Sequence, residues 1–279
     1  MPFEAINLRA NAAVMTIDKH FIHDKIAVPA LGLRTSRPRL LKLLSENLIS
    51  TNATIVNGRA GTGKTALAAD FARQAGRSVG WYKVDAADND LRLFCEYLVT
   101  TVRLQRPRLG AQQLLDLSSE IESDSAELLA DALVFQLGET RGEPLLIVIE
   151  DLHLVYDADW VVPFFRRWLP LLPSDVHVLI TCRSLPPTPL WRLRSKQMLR
   201  VVDESELAFT FEEAVELFKT YGLSEEHASI AWAQTNGKAA TISDFASTPG
   251  RAGRALADNL LLLRGARIPA LSQTPDFQI

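Results

Sequence analysis

Little in this sequence points out of a cell or into a membrane. Two cysteines, Cys95 and Cys182, are too few for a disulfide framework, and Cys182 directly follows an apolar run, so a reducing cytoplasm is the expected compartment. The longest apolar runs, 145–149 and 260–263, fall far short of the ~20 residues a membrane helix needs. The N-terminus carries Glu4 and lacks a cationic start followed by a long apolar stretch, so it is not read as a signal peptide. Neither sign of charge dominates: 30 Lys and Arg stand against 33 Asp and Glu, a formal charge of −3, which implies no overall pull toward nucleic acid or anionic membrane. Any basic surface must be local. Internal repeats and heptad runs are missing too. His20 and His23 lie three apart but have no cysteine or further histidine beside them, which argues against a metal site.

What is present suits a globular protein, since 47% of 279 residues are hydrophobic and a chain of that length can bury a full core. Residues 1–35 lack periodicity and read as an arm. Helical spacing starts at 37–48. Residues 53–57 form a short apolar strand that feeds a glycine loop, and 64–74 read as a helix closed by Gly76. A second strand is expected at 79–84, helices at 91–102 and 124–137, and strands without polar alternation at 145–149 and 176–181, the pattern of strands covered on both faces. Between these two, 157–172 read as an aromatic-rich crossover helix interrupted by Pro163, with Phe164, Phe165, Trp168 and Leu169 as core. A fifth strand is expected at 198–202. The run Thr210-Phe211-Glu212-Glu213 is a capping box that opens a helix to about 221, and Ser224 starts another to about 234.

Strands alternating with helices predict an α/β fold with a parallel sheet. The expected organisation is an arm (1–35), a nucleotide-binding domain (36–205), a small helical lid (206–247) and an irregular segment (248–279) whose last dozen residues are read as disordered.

The chemistry starts at Gly58-Arg59-Ala60-Gly61-Thr62-Gly63-Lys64-Thr65. A tight glycine loop turns successive backbone N–H groups toward an anion, and the following helix adds its positive end. Lys64 is expected to reach the β- and γ-phosphates, and Thr65 to place its hydroxyl on Mg²⁺. Strand before and helix after supply the required context. A magnesium ion needs a carboxylate at the end of an apolar strand, and Leu145-Leu146-Ile147-Val148-Ile149-Glu150-Asp151 provides two. The alternative is that the pair caps the next loop. Val178-Leu179-Ile180-Thr181-Cys182-Arg183 ends the next strand with a guanidinium placed to sense a γ-phosphate, with a plain surface arginine as the alternative. The chain order of loop strand, intervening strand, acidic strand and sensor strand puts a strand between the loop strand and the acidic one. His153 either lines this site or is satisfied by backbone. Trp191-Arg192-Leu193-Arg194-Ser195-Lys196, with Arg200, is the densest basic patch and reads as a solvated face, ahead of a subunit or nucleic-acid contact.

With these motifs in place the chain resembles the signal-transduction ATPases with numerous domains (STAND), in the branch of the maltose-regulon activator and the large ATP-binding LuxR-type regulators. Lys25-Ile26 with Pro29, then Arg37-Pro38-Arg39-Leu40-Leu41, resembles that family's opening motif beside the adenine. Trp81, Asp85 and Asp88-Asn89-Asp90, with Phe94 and Tyr97, resembles its signature after the second strand. Asp151-Leu152-His153 resembles its acidic strand end, and Leu207, Phe209, Glu213, Ala214 and Leu217 the start of its lid. The likeness covers about 25–246. It implies a P-loop NTPase fold with a five-stranded sheet of 51432-type order, ATP or ADP with Mg²⁺ as cofactors, and slow hydrolysis as a switch that an inducer and self-association read out. Arg37 would sit in the cofactor site with residues 58–65, Thr65, Glu150 and Asp151 would serve the metal, and Lys64, Glu150, Asp151 and Arg183 the catalysis. The absence of an Asn-Lys-x-Asp motif also argues for adenine. Two departures stand out: Glu150 replaces the usual Asp, and Ala239 stands where a Pro is expected. Nothing after Thr248 resembles the sensor and DNA-binding parts of full members, so direct DNA binding is not expected. A non-hydrolysing, nucleotide-bound interaction module is the competing function.

Overall fold

The computed structural model describes residues 23–30, 36–111, 114 and 126–248. The chain divides into two compact units, Met1–Leu207 and Ala208–Ile279. In the first, five strands, β1 (Ala53–Asn57), β2 (Ser78–Lys83), β3 (Leu145–Glu150), β4 (Val176–Cys182) and β5 (Leu199–Val202), form one sheet in the order β2-β3-β4-β1-β5. Every pairing is parallel. Read from the other edge this is the 51432-type order, and β4 lies between the loop strand and the acidic strand.

Around the sheet are α1 (Pro38–Ser50), α2 (Lys64–Gln74), α3 (Leu91–Gln105), α4 (Ala126–Glu139), α5 (Val161–Trp168), α6 (Thr188–Ser195) and the short α7 (Glu204–Leu207). The two-residue side-chain period of a strand sorts the core into two layers. Leu145, Ile147 and Ile149 pack with α3, α4 and α5, whereas Leu146 and Val148 pack with Leu40, Leu44, Leu67 and Phe71 of α1 and α2. With both faces covered, β3 and β4 are buried at every position. The alternation also decides where Glu150 points, because it shares the parity of Leu146 and Val148 and so faces α2.

Pro163 does not interrupt the crossover helix. It is the third residue of α5, where an N–H has no intrahelical acceptor to lose, and the segment is shorter than its aromatic pattern suggested, ending in a 3-10 turn at Leu169–Leu171. Phe164, Phe165, Trp168 and Leu169 are all buried, as core. The basic run at 191–196 lies mostly on α6, a helix the sequence reading missed. Leu190 and Leu193 anchor it while Arg192 and Arg194 stay outside, with Arg194 over the Trp191 ring at 5.2 Å.

Lys25 has a role that the sequence did not suggest. Its Nζ lies 2.6 Å from Asp88 Oδ1 and 3.0 Å from Asp85 Oδ2, and 4.2 Å from the centre of the Tyr97 ring. Asp85 and Asp88 form a reciprocal capping box around the 3-10 turn Ala86–Asn89, and Asp90 caps α3 by accepting from the Leu93 N–H at 2.9 Å. Trp160 donates its indole N–H to Asn89 O at 2.7 Å, and Phe94 packs 4.6 Å from the Trp160 ring. The signature after β2 is therefore a structural clasp that seats the segment around Lys25.

The second unit holds α8 (Phe211–Thr220), α9 (Glu225–Thr235) and α10 (Ala239–Ser247) around Phe218, Ala228 and Ile242. The capping box at Thr210 is formed in both directions, Glu213 N–H to Thr210 Oγ1 at 3.2 Å and Thr210 N–H to Glu213 Oε2 at 3.0 Å. Helix α10 escaped the sequence reading. Residues 1–22, with His20, and everything after Thr248, including the segment read as disordered, lie outside the described residues.

Candidate nucleotide-binding site

The loop between β1 and α2 has φ of +78° at Gly61 and +85° at Gly63, conformations that cost a side-chain-bearing residue and cost glycine almost nothing. Helix α2 follows directly, with Gly63 at its N-cap and no side chain capping it. Among the described residues, the backbone N–H groups of Gly61, Gly63, Lys64 and Thr65 find no backbone acceptor, and the first turn-to-loop bond is Leu67 N–H to Gly63 O at 2.9 Å. Thr62 braces the loop from inside by donating its hydroxyl to Arg59 O at 2.9 Å. The result is a nest of outward-facing donors at a helix N-terminus, the arrangement that receives phosphate.

Two buried charges flank that nest. Lys64 is only 6% exposed and donates its ammonium to Gly58 O at 2.5 Å and Arg59 O at 2.8 Å. Among the described residues no carboxylate pairs with it. Burial holds its pKa below the usual lysine value, partly opposed by the field of Asp151. Glu150, 4% exposed, accepts a very short hydrogen bond from the Thr65 hydroxyl and has no cationic partner among the described residues. Leaving a buried cation without an anion and a buried anion without a cation is costly. A polyphosphate with a hard divalent cation would satisfy both: anionic oxygens for Lys64 and the free N–H groups, and a cation for the oxygens of Glu150 and Thr65. The donor set fits Mg-nucleotide.

Asp151 sits just past the strand in a left-handed conformation, φ +59°. Asp tolerates this better than most residues because its short polar side chain can bond locally. Its N–H donates to Thr181 Oγ1 at 3.1 Å, which ties the ends of β3 and β4 together. Its carboxylate lies 3.6 Å from Arg183 Nε and 3.8 Å from His153 Nδ1. Burial lowers the His153 pKa, with Asp151 opposing the shift, so the ring stands beside the acid as a neutral group. Arg183 is about half exposed. Loop, acid pair, Arg183 and His153 thus converge on the carboxyl ends of the parallel strands, where open α/β sheets bind ligands.

Arg37 is buried and donates from Nη1 to Leu207 O at 2.7 Å, so its guanidinium is held by the chain. Leu207 also approaches the loop, since a Cβ on Gly58 would come within 3.1 Å of its Cδ1. Glu204, which no motif singled out, accepts from the Arg59 N–H at 3.0 Å. Its partner is 145 residues away, and no local pattern announces such a contact.

A family model described as an AAA ATPase domain matches residues 32–180. The chain belongs to that family. Among curated relatives of this AAA ATPase domain, the HTH-type transcriptional regulator MalT of Serratia proteamaculans is 33% identical over 183 residues, 65% of this chain and 20% of its own length. MalT of Yersinia enterocolitica is 32% identical over 182 residues, with the same two shares. The chain therefore spans about one fifth of the length of the curated relatives it matches. Among solved structures, a Walker-type ATPase of Pyrococcus abyssi is similar with a TM-score of 0.49 and 14% identity, over 86% of this chain and 77% of that one.

Proposed function

We propose that this chain is an ATP-binding regulatory P-loop ATPase of the STAND type, in which slow Mg²⁺-dependent hydrolysis serves as a signalling switch. The observation that carries the reading is two buried groups of opposite charge at the loop, neither with an ion-pair partner among the described residues: Lys64, held by the carbonyls of Gly58 and Arg59, and Glu150, held by the Thr65 hydroxyl. The free N–H groups of Gly61, Gly63, Lys64 and Thr65, with the Lys64 ammonium, take the phosphates, Thr65 and Glu150 would hold the metal, and Arg37 belongs to the base end of the site. Magnesium, when bound, neutralises charge on the β- and γ-phosphates. Among the described residues no cluster of three or more His, Cys, Asp or Glu is placed to hold a metal, so the ion is expected to share its coordination with the nucleotide.

Asp151 orients the attacking water, Arg183 responds to the γ-phosphate, and water with ATP gives ADP, inorganic phosphate and a proton. Residues 36–205 act as the ATPase and 206–247 as a lid. MalT is named as a transcriptional regulator, and by that likeness the module works in a cytoplasmic regulator that self-associates on ATP binding and answers an inducer or protein partner without touching DNA or membrane itself.

The test is a single-turnover assay with γ-labelled ATP. Wild type is expected to bind Mg-ATP and release phosphate slowly, Lys64→Ala to lose binding, and Asp151→Asn, which keeps a residue tolerant of positive φ, to bind but not release phosphate. Binding that survives Lys64→Ala sinks the reading. A second reading, a non-hydrolysing nucleotide-bound interaction module, is favoured by the engagement of Asp151 with Arg183 and predicts intact ATP over hours.

A further inference from the structure

The turn at 203–207 touches the phosphate loop and the segment leading into α1 at several points. Asp203 Oδ1 accepts from the N–H groups of Ser205 at 2.9 Å and Glu206 at 3.2 Å, and from the Ser205 hydroxyl at 2.6 Å. Glu206 turns back to the Asp203 N–H at 3.0 Å and lies 3.5 Å from Arg200. The carbonyls of Glu206 and Leu207 receive Arg39 at 2.9 Å and Arg37 at 2.7 Å. Two of the three carboxylates in the run are thus used within the turn. The third, Glu204, reaches across to the phosphate loop, where Oε2 accepts from the Arg59 N–H at 3.0 Å and lies 4.0 Å from Arg59 Nε.

An anion placed on the rim of an anion-binding loop is electrostatically out of keeping with the loop's task. Its charge reaches the Lys64 ammonium as the smallest of the electrostatic influences there, after those of Asp151, Arg183 and Cys182. Both Arg59 and Glu204 are well exposed, at 81% and 42%, so the pair adds little to stability. A carboxylate with little structural work to do, held on a phosphate loop by a loop N–H, acts mainly through its field.

We propose that Glu204 is a specificity-tuning residue of the nucleotide site: it holds the loop at Arg59 and its negative charge weakens polyphosphate binding, more for the triphosphate than for the diphosphate, biasing the resting protein toward ADP. The proposal rests on the nucleotide-site reading above. Repulsion between like charges grows with ligand charge and is screened by salt, which gives it a signature that a loop-bracing role lacks.

The experiment measures binding of ATP and of ADP, each with Mg²⁺, by calorimetry at low and high salt, for wild type, Glu204→Gln and Glu204→Lys. Glutamine keeps an oxygen that can accept the Arg59 N–H and removes the charge. At low salt Glu204→Gln is expected to tighten ATP binding about three- to tenfold and ADP binding less, with Glu204→Lys going further and the differences shrinking at 0.5 M salt, on the order expected for one charge near the site. Equal or weaker ATP binding by Glu204→Gln at low salt, or a gain that salt leaves unchanged, overturns the proposal while the nucleotide-site reading stands. No binding by wild type overturns both. Thermal melts of the variants without nucleotide are expected to match wild type, since the pair is exposed.

Discussion

At the scale of single residues, two buried ionisable groups outside the site set testable limits on stability. His177 in β4 is buried, with Nε2 3.1 Å from Thr54 Oγ1 and Nδ1 3.0 Å from Thr51 O. Burial pushes its pKa down to about 4 from the ordinary 6.5, so the folded protein keeps it neutral while the unfolded chain protonates it below 6.5. A depressed folded pKa means that this stability is present above 6.5 and drains away as pH falls toward 4. The gap corresponds to about 3 kcal/mol. Urea unfolding of wild type and His177→Gln at pH 7 and 4.5 should show a steeper loss for wild type, and parallel losses would refute it. Lys25 is the other case. Removing it leaves Asp88 buried without its cation, and Lys25→Ala is expected to cost about 3–5 kcal/mol, read from denaturant midpoints.

At the scale of elements, the second unit offers a contrast between two neighbouring positions. Gly237 has φ +74°, and a Cβ there would lie 2.3 Å from Phe209 O, in a turn closed by Phe209 N–H to Gly237 O at 2.8 Å and Trp232 Nε1–H to Phe209 O at 2.8 Å. Gly237→Ala must move backbone, and a loss of at least about 2 kcal/mol is expected, seen as a lower melting temperature. Ala239 is the first residue of α10, a position where proline's missing N–H costs nothing and its fixed φ helps. Ala239→Pro is therefore expected to be tolerated, raising stability by up to about 1 kcal/mol. The Pro that the family resemblance leads one to expect there does a job that alanine also does. The same reasoning applies to Pro163, which the sequence pattern predicts as an interruption and which stands in the first turn of α5.

At the scale of the whole molecule, a ligand that binds only the folded chain stabilises it by mass action. With Mg-ATP at about a hundred times its dissociation constant the gain is about 2.7 kcal/mol, a rise in melting temperature of several degrees. Lys64→Ala should abolish that rise, and an unchanged shift would count against the site. Among the described residues no helix is long and apolar enough to cross a membrane. What a longer regulator adds to such a module is a question for the remaining four fifths of the relatives' length.

The sequence alone determined the parts that short-range chemistry writes locally. The glycine loop with Lys64 and Thr65, the unalternated runs of β3 and β4, and the capping box at Thr210 each rest on a spacing of a few residues, and all were legible. The order of the motifs placed a strand between the loop strand and the acidic one, and the full sheet order came with the family resemblance. Only the tertiary structure decided which partners meet across long separations: Glu150 on Thr65, Asp151 between Arg183 and His153, Lys25 on Asp88, and Glu204 on the loop. The helices that no sequence pattern announces, α6, α7 and α10, are short, and their burial comes from packing rather than from period. A buried charge can be read as a candidate from its neighbours in sequence. What it pairs with is fixed when the sheet brings the carboxyl ends of its strands together, because there desolvation makes an unmatched charge too costly to leave to chance.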